Sequence, residues 1–137
     1  MRGARRHTLA AATLAAALAT TLPATPAGAL TAEPVTIERA EVARGPCTLA
    51  SRWRLAVRRV DRGLRVALLL RTPKPDQRWN IFIEHDLEGI FAGSRRSDLE
   101  GRVVVRRTVP DHPDVDRFRF GANNTVTGET CRGRVSA

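Results

Sequence analysis

The feature that most constrains this chain is a two-residue alternation of apolar and charged side chains in short runs. In RWRLAVRRV (residues 52–60) apolar side chains alternate with arginines, and LRVALLLR (64–71) continues the pattern after Asp-Arg-Gly at 61–63. This alternation predicts strands with one buried face, and two such runs around a short glycine-containing turn predict a β-hairpin. The second run is apolar on both faces near Ala67–Leu70, which predicts a central strand.

Similar short runs fill the rest of the chain, with glycine, proline and aspartate between them. Sustained helical periodicity is absent beyond the N-terminal segment, so we expect an all-β fold: an antiparallel, loosely immunoglobulin-like β-sandwich of about seven or eight strands. The further strand candidates are VTIERAEV (35–42), WNIFIEH (79–85), IFAGS (90–94), RVVVRRTV (102–109), RFRFGAN (117–123) and TVTGETCRGRV (125–135).

The N-terminus has the three parts of a secretory signal peptide. A start with three arginines precedes an uncharged stretch from Thr8 to Leu22, and Ala27-Gly28-Ala29 forms a small-residue cleavage site. We therefore predict a signal peptide over 1–29 and a single β-sandwich domain over 30–137, exported by the general or the twin-arginine route. The product is expected to be extracellular, with no transmembrane segment. Cleavage lowers the net charge from +9 to +6, because the removed segment holds three arginines and no acid.

The chain has two cysteines, Cys47 and Cys131. An even cysteine count in an exported chain predicts a disulfide, which would enclose most of the domain and join its last strand to its first hairpin. The absence of a C-x-x-C motif argues against a redox pair, and two isolated thiols cannot complete a zinc site.

Two acidic stretches contain the residue types of catalytic or metal sites. The segment EHDLE supplies Glu84, His85, Asp86 and Glu88. Because successive strand residues face opposite ways, Glu84 and Asp86 are expected to share a face and His85 to point away from both. We interpret this segment as a hairpin turn with solvated charges.

The second stretch, DHPDVD, is interpreted as a proline turn made soluble by its aspartates. Its weaker alternative is a calcium site formed by Asp111, Asp114 and Asp116, since calcium takes several oxygen ligands. A further alternative is a zinc site that includes His85 and His112, for which no third ligand is evident. Since no nucleophile motif or phosphate loop is present either, we predict no catalytic residue, no metal and no cofactor.

Arginines recur at alternate positions of three strand candidates, so strand geometry would set guanidinium groups in rows on outer faces. Such faces are commonly only solvated, and the functional alternative is binding of an anionic partner. Aromatic platforms for stacking bases are not expected on the basic face, so we predict no specific nucleic acid as partner. The candidate residues are Arg52, Arg54, Arg58, Arg106, Arg117 and Arg119.

Several motifs together resemble those of small secreted actinobacterial β-sandwich proteins of unknown function with one disulfide. The motifs are GLRVALLL, RWNIFIEHD, GRVVVRRTV, DVDRFRFGANN and TGETCRG. The resemblance implies export and a short β-domain, and it implies no activity. The family pattern also implies an asparagine–glycine turn after the histidine, where HDLEG here predicts a longer and different turn. A second similarity is to the immunoglobulin-like apoproteins of chromoprotein antibiotics, which carry two disulfides where this chain has residues for one.

These observations favour a secreted, non-enzymatic binding or structural module whose partner is an anionic cell-wall polymer or other extracellular surface. The alternative is a small-ligand carrier or inhibitory domain like the chromoprotein apoproteins, and a hydrolytic enzyme ranks third. The sequence does not define the oligomeric state.

Overall fold

In the computed structural model, residues 39–137 are described, and the predicted signal peptide lies outside them. This part of the chain forms eight antiparallel strands in two four-stranded sheets, which confirms the all-β, sandwich-like architecture. The strands are β1 (Glu41–Pro46), β2 (Arg52–Val60), β3 (Gly63–Arg71), β4 (Arg78–His85), β5 (Glu88–Arg96), β6 (Arg102–Val109), β7 (Arg117–Asn124) and β8 (Thr130–Ser136).

The first sheet has the order β1-β2-β3-β6 and the second the order β5-β4-β7-β8. The predicted hairpin is present as β2 and β3, and β3 lies between β2 and β6, as its two apolar faces predicted. The first strand runs from Glu41 to Pro46, so it extends beyond the end of the alternation predicted over 35–42, and positions 35–38 of that run lie outside the described residues.

The core consists of the inward-facing side chains of both sheets. Leu55, Leu68 and Val105 from the first sheet and Trp79 and Phe118 from the second belong to one buried cluster. Alternate residues of the same strands are exposed, most regularly in β4 and β6. Burial of this apolar surface, at roughly 25 cal/mol per Å², is the main stabilisation of the fold. In these strands, the apolar face predicted from the alternation is therefore the face buried in the core.

A disulfide and a tryptophan join the two sheets at the edge formed by β1 and β8. Cys47 follows β1 and is bonded to Cys131 in β8, with the Cα atoms 4.3 Å apart, which confirms the predicted pairing. The Trp53 ring lies against Gly45 and Gly133, where a Cβ atom would come within 2.7 Å and 2.4 Å of it. Larger residues at either glycine would displace the ring that fills this edge.

The β4–β5 hairpin turns through two residues, Asp86 and Leu87, both with positive φ. This is the length of an asparagine–glycine turn, so the longer turn predicted from HDLEG is not observed. A two-residue hairpin loop of this kind requires left-handed backbone at both positions, which favours Asn or Asp followed by Gly. Leucine therefore occupies the position where glycine is preferred.

Within residues 39–137, no helix has the length and apolar character needed to cross a membrane.

Candidate functional site

The outer side of the first sheet carries eight arginines, which we call the arginine face. Their positions alternate with the buried residues of the four strands, and no aspartate or glutamate occupies an outward strand position of this sheet. The face comprises Arg44, Arg52, Arg54, Arg58, Arg65, Arg71, Arg102 and Arg106.

Within the arginine face, the strand register places like charges directly opposite one another. Arg44 faces Arg54, Arg58 faces Arg65, and Arg52 faces Arg71. None of these six has a carboxylate within 4.0 Å among residues 39–137. The Cβ atoms of directly opposed residues lie about 5 Å apart, and like charges at such opposed positions destabilise a sheet. The register therefore builds unneutralised positive charge into this surface.

A groove of about 430 Å³ runs across the arginine face near β1. Its lining includes Arg44, Arg52, Arg54 and Arg71 around the side chain of Leu69. The indole of Trp53 also contributes, although it is half-buried and its Nε1 donates to the carbonyl of Pro46 at 3.1 Å. The groove thus offers several guanidinium groups around a small apolar floor, a suitable arrangement for a chain of phosphate or carboxylate groups.

The six arginines predicted as one candidate set are divided between the two sheets. Four of them, Arg52, Arg54, Arg58 and Arg106, belong to the arginine face. Arg117 and Arg119 lie on the outer side of the second sheet. Arg119 is paired with Glu84, and the hydrogen bond from that pair raises the pKa of the Arg119 guanidinium. Alternation within a strand predicts which side chains face outward, but it does not predict which sheet the strand joins.

The outer side of the second sheet contains a different, largely uncharged groove of about 490 Å³. Phe82 is 46% exposed there and lies over Gly121, where a Cβ atom would come within 2.2 Å of its ring. Asn80, Asn123 and Ser94 contribute polar groups to the lining. An exposed aromatic ring beside amide groups suits a small neutral ligand.

A cluster of two histidines and two aspartates forms where the β4–β5 turn meets the β6–β7 loop. His85 Nε2 contacts Asp116 Oδ1 and lies 3.2 Å from Asp86 Oδ2. His112 Nδ1 lies 3.0 Å from the same Asp86 oxygen and 3.7 Å from Asp116 Oδ1. The ring of His85 is stacked between Phe118 and His112, with centroid separations of 4.5 Å and 4.6 Å.

The two carboxylates of this cluster are held differently. Asp86 Oδ1 accepts the backbone N–H of Arg117 at 2.9 Å. That bond, followed by the one from His112, lowers the pKa of the Asp86 carboxyl below its ordinary value. Asp116 is completely buried, and its Oδ2 has no hydrogen-bond partner in the described part of the chain.

Two expectations about these segments were wrong. His85 was expected to point away from Asp86, but the chain turns at Asp86 and brings that carboxylate back to the imidazole. The aspartates of the β6–β7 loop were expected to be solvated, yet Asp116 is fully buried beside His85. The backbone of Asp116 is held next to the end of β8, because Asp116 and Ala137 exchange both of their N–H···O bonds.

The other predicted acidic residues lie outside this cluster. The group of potential ligands within 4.8 Å of one another contains Asp116 but neither Asp111 nor Asp114 of the calcium candidate. Asp111 pairs with Arg59, and Asp114 is exposed. Glu88 is exposed opposite His85.

One buried carboxylate near the disulfide was not anticipated from the sequence. Glu129 is buried and accepts hydrogen bonds from the Ser51 N–H and hydroxyl, both at 2.7 Å, and from the Leu49 N–H at 3.2 Å. These bonds fix the loop between β1 and β2 next to Cys131. Because both oxygens of Glu129 are satisfied by protein donors, we assign it a structural role.

Comparison of the chain with protein-family models, with curated proteins and with solved structures found no match.

Proposed function

We propose that this protein is an exported, non-enzymatic β-sandwich module, immunoglobulin-like in the loose sense, that binds an anionic cell-surface polymer through its arginine face. The observation that carries the proposal is the set of three directly opposed arginine pairs without a described carboxylate nearby. We expect this arrangement to reduce the stability of the free protein and a bound polyanion to relieve the repulsion. The disulfide is compatible with the oxidising, extracellular compartment that the proposal requires.

The lining of the groove favours a flexible polymer over a base-paired nucleic acid. Four arginines surround one short groove, so several successive phosphate or carboxylate groups can each meet a guanidinium. The partly buried Trp53 is the aromatic residue of this lining, which gives little surface for stacking successive bases. We therefore propose a polymer with a charged backbone and no bases, such as a wall phosphodiester.

The test compares two triple variants that remove equal charge from opposite faces. Arg52, Arg54 and Arg71, all lining the groove, are changed to Gln in one variant. Arg78, Arg132 and Arg134 of the second sheet, for which no described carboxylate lies within 4.0 Å, are changed to Gln in the control. Affinity for poly(glycerol phosphate) is measured at several salt concentrations.

We expect the first variant to lose at least about tenfold in affinity and to show a shallower salt dependence. Each lost phosphate contact should reduce the slope of log K against log salt by roughly 0.7–0.9. The control variant should bind nearly as the wild type does. Equal losses in the two variants would show that net charge alone governs binding, and salt-independent binding would contradict the electrostatic mechanism.

A second candidate function is binding of a small neutral ligand in the groove around Phe82. Its support is the exposed ring of Phe82, which has Asn80 and Asn123 among its neighbours in the lining. In this case Phe82→Ala would abolish ligand binding, and the triple variant of Arg52, Arg54 and Arg71 would not affect it, because none of these three arginines lines the groove.

A further inference from the structure

The cluster at the end of β4 brings together four side chains that can coordinate a metal ion. They come from two segments: His85 and Asp86 from the β4–β5 hairpin, and His112 and Asp116 from the β6–β7 loop. One ligand atom from each lies within 4.8 Å of the other three. Two imidazole nitrogens and two carboxylate oxygens make four ligands, the number that a structural zinc site uses.

Three separations in the cluster are close to those of a tetrahedral site, and the fourth contact, between His85 Nε2 and Asp116 Oδ1, is shorter and would have to open. Ligands at 2.0–2.1 Å from a tetrahedral zinc ion lie about 3.3 Å from one another. Asp86 Oδ2 is 3.2 Å from His85 Nε2 and 3.0 Å from His112 Nδ1, and His112 Nδ1 is 3.7 Å from Asp116 Oδ1. To enclose an ion, the contact between His85 and Asp116 must open, and the His112 ring must turn out of its stack on His85, because an imidazole nitrogen binds a metal in its ring plane.

The burial of the Asp116 carboxylate is a second, independent indication of a bound cation. The Asp116 side chain is 0% exposed, and its Oδ2 has no hydrogen-bond partner within residues 39–137. An ionised carboxylate buried in this way is costly unless a cation or several donors compensate it. Glu129, the other buried carboxylate, has both oxygens occupied by protein donors. Asp116 thus has unused ligand capacity next to the histidines.

The charge of the cluster also suits a divalent cation. Among residues 39–137, neither Asp86 nor Asp116 has an arginine or lysine side-chain nitrogen within 4.0 Å, and the side chains paired with them are His85 and His112. Two carboxylates supply two negative charges, which match one divalent ion. The two nitrogen ligands favour a transition metal over calcium, which takes six to eight oxygens.

The geometry points to a zinc site formed by His85, Asp86, His112 and Asp116, which ties the β6–β7 loop to the β4–β5 hairpin. His112 would supply the ligand on the solvent side of the site. Its ring lies stacked on His85 with 14° between the planes, and its side chain is 45% exposed, so it has room to turn toward the ion. His85 is held in place by the Phe118 ring on its other face. The site is separate from the arginine face and independent of the proposed partner.

The untagged full chain is first freed of metal with a chelator. ZnCl₂ is then titrated into it, and binding is measured by isothermal titration calorimetry. We expect one zinc ion per chain and, with Co²⁺ as probe, the intense visible absorption of a tetrahedral site. His112→Ala removes an exposed loop side chain, so the variant should fold normally. It should bind zinc at least about tenfold more weakly, because losing even an outer-shell partner of a ligand costs 10–100-fold.

Two control variants test whether zinc binding depends on the four cluster residues alone. Asp114→Asn changes an exposed aspartate of the same loop that lies outside the cluster, and His7→Ala removes the histidine outside the described residues. Both should bind zinc as the wild type does. Absence of one-to-one binding, or binding equally strong in His112→Ala, would overturn the assignment. Circular dichroism of each zinc-free variant separates loss of the site from loss of the fold.

Discussion

At the residue scale, the turn at Asp86 and Leu87 both closes the β4–β5 hairpin and brings a carboxylate into the histidine–aspartate cluster. Asp86 contacts His85 because the chain has positive φ at Asp86 and at Leu87. Strand alternation predicted the opposite orientation, since it holds only as long as the strand continues. Asp116 was assigned to solvent because a proline-containing loop is usually exposed, and its pairing with the distant Ala137 could not be read from the loop sequence.

The positive φ of Leu87 provides a residue-scale prediction. A left-handed backbone costs a residue with a Cβ atom roughly 1–2 kcal/mol, whereas glycine has no such cost but gives a more flexible unfolded chain. Leu87 is 79% exposed, so its side chain contributes little packing. We expect Leu87→Gly to raise the free energy of unfolding by about 0.5–1 kcal/mol, measured by urea denaturation. Leu87→Ala is the control; if it stabilised the protein as much as glycine does, backbone strain would not be the cause.

At the element scale, the alternation of apolar and charged residues predicted where the strands lie, but, apart from the β2–β3 hairpin, it did not predict which strands are neighbours in a sheet. The exposed and buried faces of β2, β3, β4 and β6 follow the sequence pattern directly. The central place of β3 was also predicted, because a strand that is apolar on both faces needs neighbours on both sides. The division of the arginines between two sheets was not predicted, since strand pairing depends on contacts between residues far apart in sequence.

The opposed arginines lead to a prediction at this scale, in which stability and binding change in opposite directions. Arg71 lies between Arg52 on β2 and Arg102 on β6. Arg102 is paired with Asp98 and Glu100, so removing the charge of Arg71 should relieve repulsion chiefly with Arg52. We therefore expect Arg71→Gln to raise the free energy of unfolding by roughly 0.2–1 kcal/mol. The same variant should bind poly(glycerol phosphate) more weakly by several-fold.

The control for this variant is Arg132→Gln on the second sheet, because Arg132 lies opposite Gly121 and faces no like charge. It should change neither the unfolding midpoint nor the affinity. A loss of stability in Arg71→Gln would contradict the view that the arginine face is maintained at a cost to the fold.

At the scale of the whole molecule, the disulfide is the feature that the sequence predicted most completely. The two cysteines are separated by 84 positions and connect β1 of the first sheet to β8 of the second. The prediction succeeded because two cysteines allow a single intramolecular pairing. In contrast, the two grooves and the histidine–aspartate cluster depend on how the sheets and loops are placed, and they became visible only in the folded chain.

The length of the disulfide loop gives a whole-molecule prediction. Closing a loop of this size removes conformational entropy from the unfolded chain, worth roughly 4–5 kcal/mol in the chain-entropy model. We expect Cys131→Ser to lower the free energy of unfolding by about that amount in non-reducing buffer. Cys47→Ser and the double variant should be equally destabilised, since each removes the same bond. A Cys131→Ser protein that melts like the wild type would show that the bond does not stabilise the fold.

Binding of an anionic polymer to the arginine face can be followed through the arginine Nε–H signals in NMR during a titration with poly(glycerol phosphate). Signals from the arginine face should shift, above all those of Arg52, Arg54 and Arg71 around the groove, while those of Arg78, Arg132 and Arg134 of the second sheet should stay in place. Shifts spread evenly over both sheets, or confined to the second sheet, would show that the polymer does not bind through the arginine face.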